Sequence, residues 1–166
     1  MCQSPRWVAL LGAAALGCGF VAMADGQPVA LPLCDLVVDD LQFAVVQQTT
    51  WGQGSPCQVF NVTITVKNTS PTPAPAFKVR LERKRNGAWQ EGCMTCVLAV
   101  PALGGGQSLT LDPRQFNNCS SDASLNWFRA TADSDGQVRE GNENNNSLEK
   151  EFRVFLPRQP LRRPRS

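Results

Sequence analysis

Chemistry in this sequence concentrates in two places. The first is Asp133–Asn146, DSDGQVREGNENNN, where acidic and amide side chains follow one another at short intervals. Asp135-Gly136 is a tight-turn dipeptide, since glycine tolerates positive φ and aspartate bonds its own backbone. Beyond it, Glu140, Asn142, Glu143, Asn145 and Asn146 supply carboxylate and amide groups that can bond and cap the backbone of a long hairpin connection. The same oxygens, with those of Asp133 and Asp135, are of the hard type that Ca²⁺ takes. Hairpin bonding is the simpler expectation, because polar loop ends usually satisfy their own backbone. The second place is Cys93-Met-Thr-Cys96, whose spacing suits a dithiol redox site or, with further cysteines, Zn²⁺. A redox site of that kind wants its motif at a helix N-terminus, where the dipole lowers the thiolate pKa.

What is missing narrows the chemistry further. The chain of 166 residues contains no histidine and no tyrosine. Without histidine, Ser-His-Asp and Cys-His catalysis, imidazole metal ligation and imidazole pH switching are all excluded. A hydrophobic content of 42% beside 18% charged residues describes a globular chain, long enough for one domain with a full core. The formal charge of +2 selects no partner, and no nucleic-acid partner is expected.

The elements that must position these residues read as short strands. Val59–Lys67 is the clearest: Phe60, Val62, Ile64 and Val66 alternate with Asn61, Thr63, Thr65 and Lys67, as in a sheet with one buried and one wet face. Leu36 and Val38 alternate before it, and Leu41, Phe43 and Val45 continue after a bulge or sheet switch at Asp39-Asp40. Gln47–Pro56 reads as a polar connection. A Pro-rich turn, Asn68–Ala76, leads to Phe77, Val79 and Leu81, and Asn86-Gly87 marks the next turn. Gly104–Gly106 lacks the lysine and the helix of a phosphate loop and reads as a flexible turn before Leu109 and Leu111. Asp112–Leu125 reads as a loop. Phe128 and Ala130, then Phe152 and Val154, give the inner faces of the strands that flank the Asp133–Asn146 segment. About seven strands and no amphipathic helix predict an all-β fold, a two-sheet antiparallel β-sandwich.

The spacing E-x-N-E-x-N-N at Glu140–Asn146 resembles the end of the CARDB domain, the cell-adhesion-related domain found in bacteria. Asp35-Leu-Val-Val38 resembles that family's opening strand, Val62–Asn68 its second strand, and Pro101-Ala-Leu-Gly104 its turn before the fifth. The resemblance implies an immunoglobulin-like sandwich, placed here at residues 35–156, and an extracellular, non-catalytic role.

Met1–Ala24 reads as a secretory signal. Trp7–Phe20 is an apolar run, and Ala22-Met23-Ala24 is an A-x-A cleavage site, so the mature chain would start at Asp25. An uncleaved anchor or a lipid on Cys18 are the rival readings of this stretch, and no stable membrane insertion is expected after signal removal. Residues 25–34 form a short lead. Residues 157–166 form a basic Pro/Arg tail of disordered character.

Export places the five remaining cysteines in an oxidising compartment. Connections of an antiparallel sandwich alternate between its two ends. Cys57, Cys93, Cys96 and Cys119 therefore fall at one end and Cys34 at the other, and a ten-residue strand of about 33 Å separates them. Three pairings of the four are open. A Cys93–Cys96 bridge would close a very small loop, so the favoured expectation joins each of the two to Cys57 or Cys119, leaving Cys34 outside both pairs.

The leading functional expectation is a secreted or periplasmic, non-catalytic binding or adhesion module or surface accessory domain, partnered by protein or glycan at the cell envelope and needing no cofactor. A small disulfide oxidoreductase using Cys93 and Cys96, and a structural domain stiffened by Ca²⁺, are the alternatives.

Overall fold

The computed structural model describes residues 21–24, 27–30, 32–51, 55–85, 87–91, 96–119 and 124–154. Two antiparallel sheets face one another across a single apolar layer, and no helix is present among the described residues. The strands are β1 (Val21–Ala24), β2 (Gln27–Ala30), β3 (Leu36–Trp51), β4 (Ser55–Asn68), β5 (Phe77–Arg85), β6 (Ala88–Glu91), β7 (Val97–Val100), β8 (Ser108–Thr110), β9 (Arg114–Cys119), β10 (Ser124–Thr131) and β11 (Ser147–Val154). One sheet has the order β11-β10-β5-β6, with β7 also paired to β5; the other has β3-β4-β8, with β9 also paired to β4. β1 and β2 form a separate two-stranded ribbon. The Trp7–Phe20 run of the predicted leader and the tail at 157–166 lie outside the described residues.

β4 organises the second sheet as its alternation predicts. Phe60, Val62, Ile64 and Val66 are buried, and they pack against Phe77, Val79, Leu81, Phe128 and Ala130 of the facing sheet. Leu109, Leu111 and Phe152 are partly buried against this core. The side chain of Val154 is outside the described set. The expected bulge falls between Val38 and Asp40, within one continuous strand and not at a switch of sheets.

Two expectations need correction. Gln47–Pro56 is not a connection for most of its length: β3 and β4 stay paired through Gln48↔Gln58 and Thr49↔Cys57 as far as Trp51↔Ser55. Asp112–Leu125 is not a loop throughout, because Arg114–Cys119 forms β9, paired to β4 with Phe60 opposite Phe116. Phe116 is buried and completes a cluster with Phe43, Phe60, Phe128 and Phe152. With β6, β8 and β9 counted, the sandwich has nine strands where about seven were expected.

Gly104–Gly106 is a turn, but a packed one. The Gly106 N–H donates to the Ser70 carbonyl at 3.0 Å, and a Cβ built on Gly105 would lie 2.0 Å from the Pro71 carbonyl oxygen. Two turns therefore meet backbone to backbone, and only glycine leaves room. Beside them Asn68, fully buried, accepts the Ser70 N–H at 3.2 Å and donates to the Thr72 carbonyl at 2.7 Å. Gly105→Ala is expected to destabilise by about 1–3 kcal/mol through overpacking. Urea unfolding measures it, and a loss under about 0.5 kcal/mol would mean that the turns are not in contact.

Candidate functional site

The Asp133–Asn146 segment joins β10 to β11 and satisfies much of its own backbone, as polar turn chemistry predicts. Asp133 adopts a left-handed conformation (φ 41°), and its carboxylate accepts the N–H groups of Gln137 at 3.1 Å and Val138 at 2.9 Å. Gly136, at φ 61°, donates its N–H back to the Asp133 carbonyl. Asn142 Oδ1 accepts the Asn144 N–H at 3.1 Å, and Glu143 Oε1 accepts the Glu140 N–H at 2.9 Å. Asp135 pairs with Lys78 of β5 at 2.7 Å, and that bond holds its carboxyl below the usual range.

Glu140 and Asn145 go further than hairpin bonding. Glu140 Oε2 accepts the N–H of Leu36, the first residue of β3, while Oε1 accepts Asn146 Nδ2 at 2.7 Å. Asn145 Nδ2 donates to Asp35 Oδ1 at 3.0 Å. Cys34 is bridged to Glu140 in parallel sense. The Gly141 N–H reaches the Cys34 carbonyl at 2.9 Å, and Cys34 Sγ donates to the Arg139 carbonyl at 3.5 Å. The segment is thus a clasp that fastens the entry of the first long strand to the connection before the last. All seven residues singled out by sequence lie in this segment, but only Glu140, Asn145 and Asn146 belong to the clasp itself.

Glu140 is 5% exposed. Burial pushes its carboxyl from an ordinary 4.5 up to about 7. The Leu36 and Asn146 bonds oppose that rise, and the charges of Glu143 and Asp133 add to it. A group that binds its proton more tightly when folded favours folding most below its unfolded pKa. This contribution is therefore complete below pH 4.5 and lost as the pH rises through about 7. Unfolding free energy measured between those limits is expected to fall with pH, and Glu140→Gln to flatten the slope. An unchanged slope in the variant would assign the titration elsewhere.

Among the described residues no group of three or more His, Cys, Asp or Glu is placed to hold a metal ion. The carboxylates of Asp133, Glu140 and Glu143 already face N–H donors; the buried oxygens left without a partner here are the amide Oδ1 atoms of Asn145 and Asn146. Two amide oxygens fall short of the roughly six to eight ligands of Ca²⁺.

Among the described residues the cysteines divide between the two ends of β4 and the middle of β5. Cys57 and Cys119, opposite one another on β4 and β9, form a disulfide. This overturns the favoured pairing, in which Cys93 and Cys96 took these two as partners; neighbouring strands bring Cys57 and Cys119 together first. The separation from Cys34 stands, since Cys57 lies eleven residues along β4 from Asn68, the partner of Leu36, or about 35 Å. Cys96 is disulfide-bonded and buried, and its carbonyl accepts the Leu81 N–H midway along β5, away from the end where it was expected. Cys93 lies outside the described residues.

A second assembly was not singled out from the sequence. On the outer face of the first sheet, Trp89 of β6 lies opposite Lys84 of β5. The Arg129 guanidinium sits 4.7 Å from the Trp89 ring centroid and the Lys84 ammonium 5.5 Å from it. Arg129 also bonds Glu82 at 2.8 Å. Trp127 lies one residue beyond the Phe128↔Arg83 pair, in the row of Lys84, so the two tryptophans stand about 10 Å apart across three strands. Trp127 is 37% exposed and its face-mate Leu125 44%. The signal was present: on a strand whose buried side carries Phe128 and Ala130, the opposite side should be polar, and Leu125 and Trp127 are not.

The CARDB family model matches residues 33–150, more than half of the chain. The chain belongs to the CARDB family. Its fold is similar to that of a CARDB domain from Pyrococcus furiosus solved in complex with di-metal ions, at 22% identity and a TM-score of 0.50, over 78% of this chain and 100% of that one. It is also similar to a domain of a candidate cell-surface protein from Methanosarcina acetivorans, at 20% identity and a TM-score of 0.53, over 74% of this chain and 93% of that one. No curated protein matches it significantly.

Proposed function

We propose that this CARDB domain is a secreted or periplasmic, non-catalytic binding module, and that it meets a protein or glycan of the cell envelope on the outer face of the β6-β5-β10 sheet. The observation that carries the reading is the pair of tryptophans, Trp89 and Trp127, in one cross-strand row with Lys84 between them. Tryptophan and arginine dominate binding surfaces because a large amphipathic ring or a planar fork gives much contact for little lost freedom. The Arg129 guanidinium stacked on Trp89 is held by Glu82, so this part of the face is ordered before any partner arrives. The leader predicted to end at Ala24 and the similarity of the fold to a domain of a candidate cell-surface protein support placement outside the cytoplasm. Burial of Cys96 in the core weighs against the oxidoreductase reading, since a thiol that exchanges with a substrate disulfide must be reached. The engaged carboxylates of the β10–β11 connection weigh against the Ca²⁺ reading.

Immobilised protein is to be challenged with solubilised envelope material from its host. Retention of a defined component, lost in Trp127→Ala with the melting temperature unchanged, is the expected result. Equal retention by the variant would remove this face from the binding site.

A further inference from the structure

The β3–β4 hairpin has a property that neither the clasp nor the tryptophan face uses. From Leu41 to Val66 the sequence contains no Asp, Glu, Lys or Arg. β3 is the outermost strand of its sheet among the described residues, and Ala44–Thr49 are exposed at every position, on both faces of the ribbon. Val45 is 47% and Val46 49% exposed. Val46 is the extra residue of a bulge, since Val45 pairs with Phe60 and Gln47 with Val59.

A strand edge presents unpaired N–H and C=O groups, and proteins guard long edges with charge, proline, shortness or a bulge that twists the edge away. Among the described strands, the edges at β11, β6, β7 and β8 follow that rule. β11 carries Glu149, Lys150, Glu151 and Arg153; β6 and β7 have four residues each, and β8 three. β3 has 16 residues, and its stretch from Leu41 to Trp51 holds neither a charge nor a proline. The bulge at Val46 bends this edge, and the pairing proposed below is centred on it.

We propose that the β3 edge, from Leu41 to Thr49, pairs antiparallel with the same edge of a second copy, joining two four-stranded sheets across a two-fold axis. Charge selects a second copy over a foreign strand. In a two-fold antiparallel pairing each side chain meets one from the same short segment, so a charge near the axis would meet its like. A charged foreign strand would find no opposite charge on this edge. With the axis between Val45 and Val46, Asp40 of one copy falls at the level of Trp51 of the other, and no aspartate meets an aspartate. The four exposed valines of the two copies then cover one another. The surface is separate from the tryptophan face, so either proposal can fail without the other.

Sedimentation of the purified protein over micromolar to millimolar concentrations tests this. The expected result is a monomer–dimer equilibrium that weakens roughly tenfold or more in Val46→Lys and in Val46→Glu, the effect of like charges placed at the axis. Mixing the two variants should restore the dimer, because opposite charges then meet. Gln47→Lys and Gln47→Glu give a second pair should either valine variant change the melting temperature. Amide exchange at Ala44–Gln48 should slow as the dimer forms. A monomer throughout, variants that dimerise as tightly as the parent, a mixture no tighter than its components, or a dimer with unchanged exchange at Ala44–Gln48 would each overturn the proposal. A monomer whose same amides are protected by an unrelated uncharged strand-forming peptide would overturn it in favour of strand capture.

Discussion

Phe128→Ala is expected to lower the unfolding free energy by about 3–5 kcal/mol. Phe128 is fully buried on β10 and lies where the sheets meet: its ring centroid is 5.0 Å from that of Phe116, 5.4 Å from Phe43 and 5.9 Å from Phe60. Those partners come from β9, β3 and β4, so truncation opens a cavity that no single strand can close by shifting. The edge-on approach to Phe60 and Phe116 adds a quadrupolar contribution beyond area burial. Urea unfolding followed by tryptophan fluorescence gives the number. Ile64→Ala or Leu81→Ala, at about 2–5 kcal/mol, provides the aliphatic comparison. A loss under about 1 kcal/mol for Phe128→Ala would mean that its ring does not sit between the sheets.

Replacing Cys57 and Cys119 together by serine is expected to destabilise by about 4 kcal/mol. The bridge spans 62 residues, and closing a loop of that length removes about this much entropy from the unfolded chain. Both must be changed at once, so that no lone thiol is left to seek another partner. Non-reducing peptide mapping should recover a Cys57–Cys119 peptide. A double variant as stable as its parent would show that the unfolded chain gains nothing from the bridge, contrary to the loop-entropy account. Cys57 begins the part of β4 that pairs with β9, so the bridge also anchors the strand that carries Phe116.

The parts of the fold legible in sequence were those with strict alternation and a long run. β4 shows four apolar residues at period two, and its facing survived intact. Phe116 was hidden because two asparagines follow it and Asp112-Pro113 precedes it, so a six-residue strand took on the composition of a loop. The hairpin beyond Gln47 was hidden for a related reason: Gln48 and Thr49 of β3 are both exposed, so the strand shows no apolar alternation there, and pairing to β4 keeps it extended. In the Asp133–Asn146 segment, sequence revealed which side chains would bond, since turn chemistry is local. It did not reveal the reach of Glu140 to Leu36, because a contact 104 residues away leaves no mark on local spacing. The residue that enters the interior is an acid in the most polar stretch of the chain, where pattern alone argues for the surface.

The clasp also fixes how the domain would carry load. β3 enters at Leu36, beside Glu140, and β11 leaves at Val154, which pairs with Ser124 at the end nearer the Cys57–Cys119 bridge. Entry and exit therefore sit at opposite poles of the sandwich. Tension drawn between them runs along the strands and meets the β3–β4 ladder in shear, where its hydrogen bonds resist together. Peeling from the entry would first have to break Glu140 and Asn145 away from the start of β3. A domain tethered by both ends at a cell surface would thus yield as a unit, with the clasp as its latch.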